Sequence, residues 1–144
     1  MSSDPELRIR REAAIREHVL AENEHDPVRV AASFGTPCYD VPAMGPAGQA
    51  VGAEAVSGLI GVMFQAFPDF HAEPGSLHHA DDAVFVEVRM TGTQRGEFAG
   101  IPPTGRGMDV RVGCLFEFDG DQIVRERAYF DLATILRQLG ALPG

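Results

Sequence analysis

The carboxylate and guanidinium groups close to the C-terminus are the side chains with the clearest potential for chemistry. Asp131 follows an alternating segment and directly precedes the apolar run 132–136, so it stands where a strand is predicted to end and a helix to begin. A carboxylate in a pocket that excludes water can act as a general base and then as a general acid. Asp131 is therefore the predicted catalytic residue. Arg127 and Tyr129 share its strand face at two-residue spacing and are predicted to bind the substrate.

These residues belong to a predicted β-hairpin whose turn is Asp119-Gly120. Asp-Gly favours a type I′ turn, because both central residues of that turn need a positive φ. The turn joins a predicted strand over 109–118 to a predicted strand over 122–130. Apolar and polar residues alternate in the first of these strands, which predicts that one of its faces is apolar.

The register of this hairpin predicts a cavity wall. A two-residue turn places Cys114 opposite Arg125 and Val112 opposite Arg127. Ion-capable side chains are rarely set on an apolar face without partners, which indicates that the face lines a hollow. Apolar residues of this strand and of a separate buried helix complete the predicted substrate-binding lining: Val112, Cys114, Phe116 and Phe64. A bulge or a longer turn would instead slip the register by one residue and turn the charged row to water.

The composition predicts one acidic domain that spans residues 1–144. The formal net charge of −9 argues against nucleic acid or an anionic membrane as a partner. All 12 basic residues are arginine, which excludes chemistry through a lysine Schiff base. Cys38 and Cys114 are predicted to be reduced core residues. The sequence has no recognisable signal peptide and no apolar run long enough to span a membrane, so a cytoplasmic protein is predicted.

Periodicity and capping residues predict three helices and a short strand, followed by a meander of four strands and a closing helix. Ser3 or Asp4 is predicted to cap the first helix, and Asp26-Pro27 to begin the second. His18 and His25 lie near the charged end of the first helix and are predicted to be solvated. The predicted segments are helices over 1–25, 26–35, 53–67 and 132–139, strands over 36–41, 70–77, 83–91, 109–118 and 122–130, and loops over 42–52 and 92–106. This order is typical of an α+β domain.

The most specific string in the chain is GTQRGEFAGIPPTGR at 92–106. It resembles the GTHxGxFxGxPPTGR signature of the SnoaL-like ester and polyketide cyclases, which belong to the nuclear-transport-factor-2-like superfamily. Further strings fit in the same order: AFPD at 66–69, the turn Asp119-Gly120, and YFD at 129–131 followed by Leu139-Gly140. The resemblance covers roughly residues 12–140.

The resemblance implies an α+β fold of the nuclear-transport-factor-2-like (cystatin-like) type, with helices packed on the concave face of a cone-shaped, curved antiparallel sheet. It also implies a homodimer, an apolar cavity for a small apolar oxygenated ligand, and no metal or organic cofactor. Characterised members close a ring by intramolecular aldol condensation of a polyketide methyl ester, using one Asp that matches Asp131. Two positions depart from the pattern. The family's His is Gln94 here, which is predicted to hydrogen-bond the substrate. Arg127 stands where the family commonly has Trp.

Each predicted site residue also has a purely structural interpretation. Asp131 is a favoured helix N-cap, and this role is compatible with catalysis. Tyr129 fits a core aromatic residue with a satisfied hydroxyl, and Gln94 fits a loop residue that faces water. His78-His79 with Asp81-Asp82 has the composition of a metal site, but adjacent strand residues point apart, so no metal is predicted.

Three functions of different classes follow from these residues and the resemblance. The first is an enzyme that performs aldol cyclisation with Asp131 as its acid and base. The second is a related lyase, isomerase or epoxide-opening hydrolase that uses the same Asp. The third is a non-catalytic dimer that binds a small ligand. Arg127 would lower the pKa of Asp131 if the two were in contact, or would bind a substrate oxyanion.

Overall fold

The helices begin at acidic caps, as the sequence predicts. The computed structural model describes residues 4–143, and in it Asp4 accepts a hydrogen bond from Glu6 N while Asp26 accepts one from Arg29 N. Ser3, the alternative cap, lies outside the described residues. The elements in chain order are α1 (Pro5–Asn23), α2 (Pro27–Ala32), β1 (Cys38–Asp40), β2 (Gln49–Val51), α3 (Ala53–Ala66), β3 (His71–His79), β4 (Ala83–Thr93), β5 (Gly107–Asp119), β6 (Gln122–Tyr129) and α4 (Leu132–Gln138).

The strands form one curved, unclosed sheet in the order β2-β1-β6-β5-β4-β3. Neighbouring strands are antiparallel except β1 and β6, which run parallel, with Tyr39 beside Glu126. The prediction of a plain loop over 42–52 is wrong in part. Pro42–Gly48 forms 3-10 turns, and β2 then pairs with β1. The prolines and glycines that exclude an α-helix here also reverse the chain, which allows a second short strand.

Helices pack against the inner, concave face of the sheet, so the predicted α+β class is confirmed. The buried apolar residues of α1, α2 and α3 include Ile15, Val19, Val30, Val56, Ile60 and Phe64. Those of the sheet include Val84, Val86, Val88, Val112 and Phe116. Alternation in β4 and β5 places these strand residues on one face, where the helices cover them.

The connection between β4 and β5 is organised around the side chain of Gln94, which is 0% exposed. Its Nε2 donates to Gly96 O and Ile101 O, and its Oε1 accepts from the N–H and the hydroxyl of Thr104. Phe98 of the same loop lies edge-on to Phe67, with ring centroids 5.3 Å apart. The buried amide therefore joins three positions of the loop, Gly96, Ile101 and Thr104.

The β5–β6 hairpin has a different register from the predicted one. The turn residues are Gly120 and Asp121, and Phe118 lies opposite Ile123. Beyond that pair the register shifts, because Val124 is an extra residue in β6, so that Phe116 lies opposite Glu126 and Leu115 opposite Arg127. Such a bulge exchanges the two faces of a strand. The predicted pairing of Cys114 with Arg125 and Val112 with Arg127 is wrong for this reason.

Candidate active site

A cavity of about 110 Å³ lies between α3 and the inner face of the sheet. Its walls are mainly apolar and include Leu59, Ile60, Met63, Phe64, Val88, Met90, Val112, Phe116, Ala128 and Phe130. Val62 of α3, which is 56% exposed, and the exposed Ala99 also line it, so the opening to solvent lies between α3 and the 94–106 loop. The cavity is therefore an apolar hollow with one mouth.

The hollow has one polar end, formed by residues from three parts of the chain. Glu126 on β6, Glu22 on α1 and Tyr39 on β1 all line it. The side chain of Glu126 is 2% exposed and that of Glu22 is 12% exposed. The parallel pairing of β1 with β6 sets Tyr39 beside Glu126, and the bulge at Val124 turns Glu126 inward.

His18 on α1 lies directly behind these carboxylates and is fully buried. Its Nε2 is 2.8 Å from Glu126 Oε1 and 3.5 Å from Glu22 Oε1. At this distance a protonated imidazole and the Glu126 carboxylate form a buried ion pair.

The second ring nitrogen of His18 is fixed by Ser33. Ser33 Oγ lies 2.8 Å from His18 Nδ1 and 2.6 Å from Val30 O. A carbonyl only accepts, so the serine hydroxyl donates to Val30 O, and His18 Nδ1–H donates to Ser33 Oγ. Nε2 is left as the nitrogen that faces the carboxylates.

The electrostatics of the polar end favour a charged imidazole. Burial by itself lowers the pKa of His18, but the negative charges of Glu126 and Glu22 outweigh it and raise that pKa to about 9. Burial raises the pKa of Glu22 to about 7, with Glu126 adding to the rise and His18 opposing it. At neutral pH an imidazolium therefore lies beside a carboxylate, and Glu22 exchanges its proton with little change in free energy.

Two further groups at this end keep their protons at neutral pH. Burial raises the pKa of the Tyr39 hydroxyl and of the Cys114 thiol well above their usual values, and Glu126 and Glu22 raise both further. Tyr39 therefore presents a neutral hydroxyl at the wall of the cavity, and Cys114 presents an unreactive thiol.

The structure brings together the apolar residues that were predicted to line a pocket. Phe64, Val112, Cys114 and Phe116 all line the cavity. Gln94 does not line it, because its amide is used inside the 94–106 loop. It acts on the cavity only through the position of that loop.

The charged row lies on the opposite side of the sheet, so its predicted orientation into the cavity is wrong. Arg127 is close to Glu117 Oε1, at 3.2 Å, and to Asp40 Oδ2, at 3.7 Å. Arg125 is bonded to Glu117 Oε2, and Tyr129 is 47% exposed. The physical cause is the extra residue Val124, which moves every later side chain of β6 to the other face.

Asp131 is exposed and does not line the cavity. Its Oδ1 accepts from Ala133 N and its Oδ2 from the Thr134 hydroxyl, which is the N-cap geometry of α4. The hydrogen bonds from Thr134 and Ala133 lower the pKa of this carboxyl below its usual value. Arg127 is not its charge partner in the described structure.

The sequence contains signals for the residues that were missed. His18 and Glu22 are four residues apart on α1, on the face that also carries Ile15 and Val19. His18 was predicted to be solvated because charges surround it in the sequence, but its side chain belongs to this apolar face. Glu126 alternates with Arg125 and Arg127, and only the position of the bulge decides which of them is buried.

Within residues 4–143 the structure holds no group of three or more His, Cys, Asp or Glu residues arranged to bind a metal. In the same residues no helix is both long and apolar enough to cross a membrane.

Comparison with known proteins identifies the family to which the chain belongs. The family model of the SnoaL-like polyketide cyclases matches residues 13–139, and the chain belongs to that family. Membership supports a small-molecule function of the cyclase or isomerase type. A search of curated protein sequences gives no match.

Solved structures resemble the chain over nearly its whole length. TsrD from Streptomyces laurentii is 27% identical, with a TM-score of 0.81, and the match covers 94% of this chain and 98% of TsrD. IdmH, a proposed polyketide cyclase from Streptomyces antibioticus, is 26% identical, with a TM-score of 0.73 and coverage of 90% and 98%. A protein from Catenulispora acidiphila with a ketosteroid isomerase-like fold is 21% identical, with a TM-score of 0.77 and coverage of 90% and 93%, and supports the fold alone.

Proposed function

We propose that this protein is a cofactor-independent enzyme that performs acid–base carbon chemistry of the cyclase or isomerase type, with Glu126 as its general base. One observation carries the proposal: a carboxylate that is 2% exposed lines an apolar cavity and contacts a buried imidazole at 2.8 Å. Perturbed titratable groups that converge in such a cavity are typical of catalytic sites. Membership of a cyclase family supports the same class of reaction.

In the proposed first step Glu126 removes a proton from a carbon next to a carbonyl group. The C–H bond breaks, the proton passes to Glu126, and the electron pair forms an enolate. The Tyr39 hydroxyl is placed to donate a hydrogen bond to the enolate oxygen. The buried imidazolium of His18 offsets the negative charge at this end before the transfer.

The second step determines the type of product. In a cyclisation the enolate carbon forms a bond to a second carbonyl carbon. The new alkoxide takes a proton from Glu126, or from Glu22, which then receives the proton held by Glu126. In an isomerisation the proton returns to a different carbon. Glu22 suits proton donation near neutral pH, because its pKa is raised to about 7. Intramolecular aldol cyclisation of a polyketide-type ester or ketone is the proposed reaction, on the basis of family membership.

Hydrogen–deuterium exchange at carbon tests the first step without knowledge of the natural substrate. Cyclohexanone in D₂O exchanges its α-protons slowly, and the wild-type protein is expected to accelerate this, as measured by NMR. Glu126→Gln should remove most of a general-base contribution of roughly 10²–10⁴-fold. Asp131→Asn is the matched control, since it neutralises an exposed carboxylate outside the cavity.

Each result of this comparison supports or opposes the assignment. Loss of exchange in Glu126→Gln with retention in Asp131→Asn supports it. Loss in Asp131→Asn alone would return the catalytic role to Asp131. Ligand binding without exchange in the wild-type protein would support the non-catalytic ligand-binding function. Ring closure itself is tested with heptane-2,6-dione, whose aldol product loses one water and is detected by mass spectrometry.

A further inference from the structure

One nitrogen of His18 lies between the two carboxylates of the polar end. His18 Nε2 is 2.8 Å from Glu126 Oε1 and 3.5 Å from Glu22 Oε1. Glu126 comes from β6, and Glu22 lies one helical turn after His18 on α1. The longer of these two distances exceeds that of an aligned hydrogen bond, and a small rotation of the Glu22 side chain would shorten it. The N–H of one ring nitrogen is therefore within reach of the proposed general base and of a second carboxylate.

The ring of His18 is held so that this nitrogen keeps its position. Nδ1–H donates to Ser33 Oγ at 2.8 Å, and the Ser33 hydroxyl donates to Val30 O at 2.6 Å. The rings of Phe34 and Phe116 lie edge-on to the imidazole, with centroids 5.4 Å and 5.3 Å away. Turning the imidazole over would break the bond to Ser33 inside a packed core. The proton on Nδ1 is therefore fixed, and the proton on Nε2 is the one that can move.

The two carboxylates differ in their access to water. The side chain of Glu126 is 2% exposed, that of His18 is 0% exposed, and that of Glu22 is 12% exposed. Burial raises the pKa of Glu22 to about 7, so this group accepts and releases a proton near neutral pH. Tyr39 and Cys114 keep their protons there, because burial raises the pKa of both groups. Glu22 is therefore the better suited of the two carboxylates to exchange protons with water.

We propose that His18 relays a proton from Glu126 to Glu22, from which water removes it, and that Ser33 is the positioning residue for this transfer. The Nε2–H bond breaks as its proton passes to Glu22 Oε1, where an O–H bond forms. The electron pair left on Nε2 then takes the proton that Glu126 received from the substrate. The imidazole is a cation before and after, Glu126 is again a carboxylate, and Glu22 is a neutral acid until water takes its proton. The relay rests on the proposed function for its first proton, and it regenerates a base that has almost no contact with solvent.

Exchange of the two ring protons of His18 with water tests the relay without a substrate. NMR at pH 7 on protein with ¹⁵N-labelled histidine measures both rates in one ring, and nuclear Overhauser contacts with Phe34 and Phe116 identify that ring. Glu22→Gln should slow exchange at Nε2–H by at least about 10-fold, since a positioned acid–base group contributes roughly 10²–10⁴-fold and a carboxamide cannot accept the proton. Exchange at Nδ1–H should stay unchanged, because Ser33 and not Glu22 faces it.

Glu6→Gln is the matched control for Glu22→Gln. It makes the same change at an exposed position in the first turn of α1. Both ring protons should keep their wild-type rates in this variant. An unchanged Nε2–H rate in Glu22→Gln overturns the relay, and so does an equal change at both nitrogens, which would reflect altered opening of the core.

Substitutions at Ser33 test its positioning role in the same measurement. Ser33→Ala removes the acceptor of Nδ1–H, so exchange should become faster at that proton and slower at Nε2–H, whereas Ser33→Thr keeps the hydroxyl and should restore both rates. Ser57→Ala is the matched control, since the Ser57 hydroxyl also bonds a backbone carbonyl three residues earlier, Glu54 O at 3.3 Å. It should leave both rates unchanged. Faster exchange at both ring protons in Ser33→Ala, or an unchanged Nδ1–H rate, overturns the assignment to Ser33.

The relay and the proposed function can fail separately. Where the wild-type protein exchanges the α-protons of cyclohexanone, Glu22→Gln should slow that exchange, because deuterium from the solvent reaches Glu126 through the relay. Carbon exchange at the wild-type rate in Glu22→Gln overturns the relay and leaves Glu126 as the base. Absence of carbon exchange in the wild-type protein opposes the proposed function, while the ring-proton rates still decide the relay.

Discussion

Glu126 depends on His18 for its place inside the fold. A buried carboxylate has lost its hydration, and the imidazole at 2.8 Å is its close cationic neighbour in the described structure. Replacing only one member of a buried ion pair is much more damaging than replacing both, because the remaining charge is left uncompensated.

His18→Leu is therefore expected to lower the free energy of unfolding by about 3–5 kcal/mol. The double variant His18→Leu with Glu126→Leu should be less destabilised than this single variant, since the buried Glu126 carboxylate is then no longer left without its partner. Urea denaturation followed by circular dichroism measures both. If the free energy of unfolding of His18→Leu lay within about 1 kcal/mol of the wild-type value, His18 would not be stabilising the buried Glu126 carboxylate.

Asp131 can be assigned to stability or to catalysis with two substitutions. Asp131→Ala removes the side-chain cap of α4 and should cost about 1 kcal/mol, whereas Asp131→Asn keeps a good capping residue and should cost less. Thermal unfolding measures the difference. Both variants should retain the α-proton exchange activity, and a loss of exchange with unchanged stability would contradict the structural assignment.

At the scale of elements, the bulge at Val124 decides the identity of the site. The strands, the Asp-Gly turn region and the apolar face of β5 follow from alternation and turn chemistry, which are local properties of the sequence. The bulge depends on how β6 fits between β1 and β5, which the sequence of the hairpin alone does not contain. The cavity residues Phe64, Val112, Cys114 and Phe116 were therefore predictable. The sequence did not show that Glu126, rather than its neighbour Arg127, faces the cavity.

Distance along the chain explains the other residues that were missed. His18 is recognised as buried only when α1 is docked on β6, because its partner Glu126 comes from the other end of the sequence. The predicted pocket role of Gln94 fails for a related reason. Its amide meets Thr104 and Ile101 only after the loop has folded back on itself.

The buried amide of Gln94 is predicted to hold the 94–106 loop. Gln94→Ala should cost about 1–3 kcal/mol and accelerate amide hydrogen exchange in this loop, because Gly96 O, Ile101 O and Thr104 N–H lose their partner. Thr104→Val is the matched control, since it keeps the bonds of the amide to Gly96 and Ile101 and should have a smaller effect. Equal exchange rates in the two variants would contradict this role.

At the scale of the whole molecule, the buried cluster predicts how stability changes with pH. The pKa of His18 is raised from 6.5 to about 9, so its contribution to stability is full below pH 6.5 and is lost as the pH rises through 9. The pKa of Glu22 is also raised, from 4.5 to about 7, and the native state again holds the proton more tightly. Glu22 therefore lowers the free energy of unfolding as the pH rises from 4.5 to about 7, and His18 lowers it as the pH rises from 6.5 to about 9.

The urea midpoint is therefore expected to decrease between pH 6.5 and 9.5, with a loss of about 1–3 kcal/mol in the free energy of unfolding. The His18→Leu variant lacks the imidazole and should show a flatter profile over this interval. A midpoint that rises with pH in the wild-type protein would contradict the charge state assigned to His18.

The homodimer implied by the family resemblance stays a prediction. Analytical ultracentrifugation should give a mass about twice the 15.5 kDa of the chain. A mass of one chain at micromolar concentration would contradict it.

The parallel pairing of β1 with β6 determines when the cavity can form during synthesis of the chain. Three residues of the polar end are synthesised early: His18, Glu22 and Tyr39. Glu126 is synthesised later, with β6, the strand that pairs with β1. Contacts between distant segments form slowly, so the apolar walls of the hollow are expected to stay incomplete until β6 has been synthesised and has paired with β1. A small molecule that fits the finished hollow would therefore report on the last stage of folding.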